Sequence, residues 1–152
     1  MPPHRLRRLD SVFNGCPVYF ITACTNRRRR LLAQQEVFEA FQEFSRKGAS
    51  RSVYVGRYVL MPDHLHLFAA FAPNAMPIAV WMKSLKNALS KSLRTQGVES
   101  PHWQKAFFDH VLRSQESYGQ KWAYVQLNPV RAGLVSRPED WPYQGEIWPL
   151  QV

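Results

Sequence analysis

The apolar positions alternate between two periods along this chain. Residues 17–25, PVYFITACT, are rich in β-branched and aromatic side chains and predict a strand. Val37, Phe38, Phe41 and Phe44 recur at helical spacing and predict a helix over 34–47. Residues 52–61, SVYVGRYVLM, and 64–71, HLHLFAAF, return to strand character. The MPD turn between them contains Pro62, which cannot donate to a ladder, so the two strands should form a hairpin. A second helix fits 77–95, with Ile78, Trp81, Leu85 and Leu89 on one face. A short strand fits 107–113, FFDHVLR, and a last helix roughly 115–128. Pro129 should end that helix, and Gly133 suits the stop after it.

The order β-α-β-β-α-β plus a helix predicts an α+β fold of the ferredoxin-like kind. Its antiparallel sheet would carry the first helices on one face. The last helix would lie over the other, bringing Tyr124 with it. The chain reads as a single domain over 1–152, with a basic N-terminal arm (1–16) and an irregular C-terminal tail (136–152) rich in Pro and Trp. That topology is shared by RNA-binding modules and many enzymes, so it leaves function open.

Charge narrows the partners. Twenty Lys and Arg against eleven Asp and Glu give a formal net charge of +9. A small domain this basic points to a polyanion, most often nucleic acid. Arg27, Arg28, Arg29 and Arg30 follow the first strand. Lys83, Lys86, Lys91 and Arg94 form a stripe on the second long helix, and Arg131 follows the last. All are candidate phosphate contacts. Trp103, Phe107 or Trp141 could stack on bases, with core packing the competing role. No apolar run is long enough for a membrane helix and no secretory leader is evident, so a cytoplasmic protein without a membrane partner is expected. Cys16 and Cys24 lie about 26 Å apart along an extended strand, which excludes a disulfide, and neither belongs to a CxxC pair.

The chemistry centres on His64-Leu65-His66. Strand alternation puts both imidazoles on one face, where they could share a metal ion or could be ordinary solvated histidines. Tyr124 and Asn128 are one helical turn apart. They could form a nucleophile beside a further ligand, or a core aromatic and a helix end. Asp63 should point away from the histidines and serve the turn. His110 reads as a hydrogen-bonded structural histidine, and Tyr19, Tyr54, Tyr58 and Tyr118 as packing residues or residues off the site.

PDHLH (62–66), WQKAFFDHVLR (103–113), YVQLNPVRAGLV (124–135) and DWPY (140–143), in that order, resemble the single-tyrosine transposases of the HUH class. The branch most similar is the REP-associated tyrosine transposases, and the resemblance runs from PVYFIT to DWPY. It implies His64 and His66 as paired metal ligands, Asn128 as the third, and Tyr124 as the nucleophile. It implies Mg2+ or Mn2+ as cofactor and hairpin-bearing single-stranded DNA as partner. The activity implied is cleavage beside the hairpin, with a 5′-phosphotyrosine intermediate, a free 3′-hydroxyl and religation by reversal. A monomer is favoured, with a homodimer as the alternative. The competing reading is a nucleic-acid-binding module without catalysis, which would want aromatics where HLHLFAAF carries histidines.

Overall fold

The computed structural model describes residues 16–151. The expected basic arm lies outside them, apart from Cys16. The strands are β1 (Val18–Cys24), β2 (Val53–Leu60), β3 (His64–Phe71), β4 (Phe108–Leu112) and β5 (Gln144–Glu146). The helices are α1 (Gln35–Gly48), α2 (Ile78–Thr95), α3 (Gln115–Val125) and the single turn α4 (Asn128–Arg131). The five strands form one sheet in the order β4-β1-β3-β2-β5, with every neighbouring pair antiparallel. The first four strands and two long helices take the expected ferredoxin-like order.

Alternation sorts the sheet residues onto its two faces. Ile21, Ala23, Val55, Leu65, Leu67 and Ala69 point towards α1 and α2. There they meet Val37 and Phe41 of α1 and Trp81, Leu85 and Leu89 of α2, all almost fully buried. Each such large side chain contributes about 1.5–3 kcal/mol over its exposed state, so this layer supplies most of the folding drive.

The opposite face carries Val18, Phe68 and Ala70, and α3 lies against it through Tyr118 and Trp122. Phe68 and Tyr118 have ring centroids 4.7 Å apart. Gly56 permits this approach, because a Cβ there would lie 2.5 Å from Tyr118 Oη. The β2–β3 register shifts between Val55 and Tyr58, and the Arg57 amide of that bulge donates to Tyr118 Oη at 3.1 Å.

The tail departs from the irregular path expected of it. Residues 144–146 pair with β2 as β5, and Trp141 is buried with its Nε1 donating to the Leu60 carbonyl at 3.0 Å. Pairing protects an otherwise open strand edge, a gain that local composition does not reveal. Cys16 and Cys24 stay unbridged by a disulfide, as expected. Among the described residues, no helix is long and apolar enough to cross a membrane.

Candidate active site and nucleic-acid interface

The hairpin turn that presents the histidines is tied to the loop after β1. Pro62 donates no backbone proton, but its carbonyl accepts from the Leu31 and Leu32 amides at 2.8 and 3.0 Å. The Asp63 carbonyl accepts from the Thr25 amide and from Thr25 Oγ1. From this anchored turn, His64 and His66 leave on one face of β3, with ring centroids 4.8 Å apart.

Each imidazole is held through its Nδ1 atom. His66 Nδ1 lies 2.8 Å from Thr22 Oγ1, its register partner on β1. Phe20 stacks on the other side of the His66 ring at 5.1 Å, and Lys121 Nζ sits 4.8 Å above Phe20. Burial lowers the His66 pKa to about 3, helped by the charges of His64, Lys121, Arg28 and Arg131. The ring is therefore neutral at pH 7, the form that can ligate a metal.

His64 Nδ1 is 2.8 Å from Asp63 Oδ1, and Asp63 Oδ2 accepts from Arg28 Nε at 3.0 Å. Despite burial opposing it, hydrogen bonds from His64 and Arg28 and their charges lower the Asp63 pKa. In the neutral ring, an Nδ1 proton donated to this carboxylate leaves the lone pair on Nε2, while Arg28 Nη2 also approaches Nδ1 at 3.3 Å. Alternation was expected to turn Asp63 away from the histidines. The correction is that Asp63 precedes the regular strand, where the turn swings its carboxylate back onto His64.

The last helix reaches the same end of the sheet, but in two pieces. Pro129 cannot donate to the carbonyl one turn back, so α3 stops at Val125 and α4 restarts at Asn128. Asn128 keeps a helical position, contrary to the expected break there. The linking residues, Gln126 and Leu127, stay in right-handed helical geometry. Gly133, at φ +74°, closes α4 as expected. Val125 is buried with Val59, the β2 register partner of His66. That shared cluster puts Val125, at the end of α3, on the histidine face of the sheet.

Tyr124 itself is 62 % exposed. Arg131 places its guanidinium 4.0 Å from the centre of the Tyr124 ring and donates through Nη2 to the Tyr124 carbonyl at 2.8 Å. It also donates to Asn128 Oδ1. Tyr124 and Asn128 make no hydrogen bond or ring contact with either imidazole. Among the described residues, no group of three or more His, Cys, Asp or Glu is placed to hold a metal ion.

The basic residues divide between the two sides of the molecule. Arg28 and Arg131 belong to the histidine side. Lys83, Lys91 and Arg94 are exposed on α2, in the layer behind the sheet. Lys86 donates to the Gln104 and Ala106 carbonyls, and Arg29 to those of Glu99 and Pro101, so both tie loops together. Arg27 and Arg28 adopt φ of 54° and 55°, a left-handed pair that turns the basic loop sharply. Arg27 and Arg30 are exposed.

Trp103 and Trp141 spend their indole N–H groups inside the fold, and Phe107 packs against the main core. His102 is buried between Ser90 and Val98. His110, expected to be hydrogen-bonded, is exposed instead, because β4 is an edge strand with little above it. Thr22, Phe20 and Lys121 were not singled out from the sequence. Only the β1–β3 register and the docking of α3 join them to His66.

A sequence model of the family described as "Transposase IS200 like" matches residues 16–125. The chain belongs to this family. A REP-associated tyrosine transposase of Escherichia coli K12 is 23% identical over 125 residues, covering 82% of this chain and 73% of the relative. A protein of Haemophilus influenzae, named as a candidate REP-associated tyrosine transposase, is 29% identical over 107 residues. That match spans 59% of this IS200-like chain and only 61% of the relative.

Among solved structures, a REP-associated tyrosine transposase bound to a REP hairpin superposes with a TM-score of 0.69 at 24% identity, covering 84% of this chain and 75% of that one. A transposase-like protein of Deinococcus radiodurans gives 0.53 at 20% identity, covering 72% and 88%. At these identities the structural likeness establishes the fold of this IS200-like transposase. The resemblance read from PVYFIT to DWPY is borne out at the level of the family, whose model ends at Val125.

Proposed function

We propose that this chain cuts and rejoins single-stranded DNA beside a hairpin, with Tyr124 as the nucleophile. The observation that carries this reading is the burial of Val125 against Val59. It brings an exposed tyrosine, backed by a guanidinium, to the end of the sheet that carries two paired imidazoles.

The donor set fits a divalent cation. Both Nδ1 atoms have protein partners, the arrangement that orients ligating histidines and leaves the Nε2 atoms for the ion. Asn128 Oδ1 accepts from Arg131 and, as an amide oxygen, has a second lone pair. His64, His66 and Asn128 would hold Mg2+ or Mn2+, and the bound ion would polarise the scissile phosphate and offset its charge.

Tyr124 Oη attacks phosphorus and its proton leaves to solvent. The bond from phosphorus to the 3′ oxygen breaks, and that oxygen leaves as a 3′-hydroxyl after taking up a proton. The 5′-phosphate stays on Tyr124. Attack by another 3′-hydroxyl reverses the step and joins strands. Arg131, above the ring, places positive charge where the phosphate must approach. The hairpin preference is carried over from the solved relative bound to a REP hairpin. The resemblance to the REP-associated branch favours a monomer, with a homodimer as the alternative.

A denaturing gel tests the reading. Protein mixed with labelled hairpin oligonucleotides and Mn2+ should give a covalent adduct that EDTA prevents and Tyr124→Phe abolishes. An adduct that survives Tyr124→Phe rejects the nucleophile assignment. Metal-indifferent binding without any adduct favours the non-catalytic module.

A further inference from the structure

The two most exposed large apolar side chains among those described are Phe108, at 68%, and Tyr124, at 62%. Tyr124 has a proposed role. Phe108 has none, and its position is specific. It is the β4 register partner of Thr22, whose hydroxyl meets His66. Directly opposed residues of an antiparallel pair point to the same face, so Phe108, Thr22 and His66 form one row. Alternation along β4 agrees, since Phe107 packs into the helix-side core and Leu112 into the cluster under α3. With strands about 4.8 Å apart, Phe108 stands two strands, roughly 10 Å, from His66. His110 is two residues further on the same face, exposed, and opposite Phe20.

An exposed aromatic on a sheet face costs water contact unless a partner covers it. The flanking charge names that partner's chemistry. Lys121 Nζ stands 4.8 Å above Phe20, the register partner of His110, Arg28 binds Asp63 beside His64, and Arg131 covers the Tyr124 ring. A polyanion with flat apolar faces, unpaired DNA, satisfies both features. Phe108 and His110 lie about 7 Å apart along the strand, close to the reach between neighbouring bases of an extended single strand.

We infer that Phe108 and His110 form a stacking platform for two unpaired bases next to the scissile phosphate. The platform would hold the strand in register with His66 and Tyr124. This rests on the reading of the histidine end as a DNA-cleavage site, and it assigns β4 a part in positioning the flank.

Fluorescence anisotropy tests it, with EDTA present so that no cutting occurs. The probes are a labelled hairpin with an unpaired flank, the same hairpin trimmed of the flank, and a flanked series with one abasic position each. Phe108→Ala should weaken binding of the flanked hairpin about tenfold, the scale of one lost base stack, and leave the trimmed hairpin unchanged. Phe108→Trp should keep the affinity. One abasic position should weaken the native protein equally and add nothing to Phe108→Ala, and His110→Ala should pair in this way with the next position. Equal binding of the flanked hairpin by native protein and Phe108→Ala overturns the inference. So does equal weakening on flanked and trimmed probes. Loss of a dimer by sedimentation with DNA affinity intact also overturns it, making β4 a self-association edge. The adduct assay stands apart: an adduct that depends on Tyr124 with no effect of Phe108→Ala rejects the platform alone.

Discussion

The Thr22 hydroxyl lies 2.8 Å from Nδ1 of His66 and bridges the two central strands beneath the candidate metal site. A ring whose Nδ1 is occupied in this way can offer only Nε2. The hydroxyl therefore holds the tilt of the imidazole, and it can accept from an Nδ1 proton when Nε2 takes an ion.

Thr22→Val keeps the strand shape and removes that oxygen. Affinity for Mn2+, followed by calorimetry, should fall about 10- to 100-fold, the usual effect of losing a partner that orients a ligand. The metal-free protein should lose about 1–3 kcal/mol in urea unfolding, because a part-buried ring nitrogen is left unpaired. Thr22→Ser should restore both. Unchanged Mn2+ affinity in Thr22→Val would remove His66 from the ligand set.

Arg131 joins Tyr124 to Asn128 through one guanidinium, and it is exposed. Arg131→Leu should slow adduct formation about 100-fold or more, since one hydrogen-bond donor aimed at a transition state is worth about 2.7–4 kcal/mol in other active sites. Its stability should change by no more than about 1 kcal/mol, as for other exposed charges. Arg131→Lys keeps the charge without the planar fork and should recover only part of the rate. Single-turnover kinetics separates the three proteins, and a native rate in Arg131→Leu would exclude Arg131 from the chemistry.

Tyr118 couples α3 to the bulge in β2, and burial pushes its phenol up to about 12 from the ordinary 10.0. Between those pH values the unfolded chain has lost the phenolic proton and the folded chain keeps it. The contribution to stability is therefore complete below pH 10, and it is lost as pH rises towards 12. Tyr118→Phe should cost about 1–3 kcal/mol at neutral pH by stranding the Arg57 amide. The alkaline fall should be shallower in the variant than in the native protein, as read by denaturant midpoints at several pH values. Parallel curves would show that Tyr118 does not carry that linkage.

Period alone sufficed for the main elements. PVYFITACT and HLHLFAAF read as strands and 77–95 as a helix because burial on one face imposes a repeat that local composition records. The same logic put His64 and His66 on one face, and the spaced motifs carried the family. The tail was less legible. Residues 144–146 become a strand only because β2 has an unpaired edge to offer.

What tertiary structure decided was adjacency. Thr22 meets His66 through strand register, Asp63 meets His64 through the bend of a turn, and Phe108 joins their row through β4. Each is a pairing across the fold, set by which strands align and how the turn bends, and no spacing along the chain encodes it. The sequence alone determined the residue types, their faces and the family. Only packing could put the end of α3 on the histidine face, because Val125 must bury its side chain in one cluster with Val59, more than sixty residues earlier.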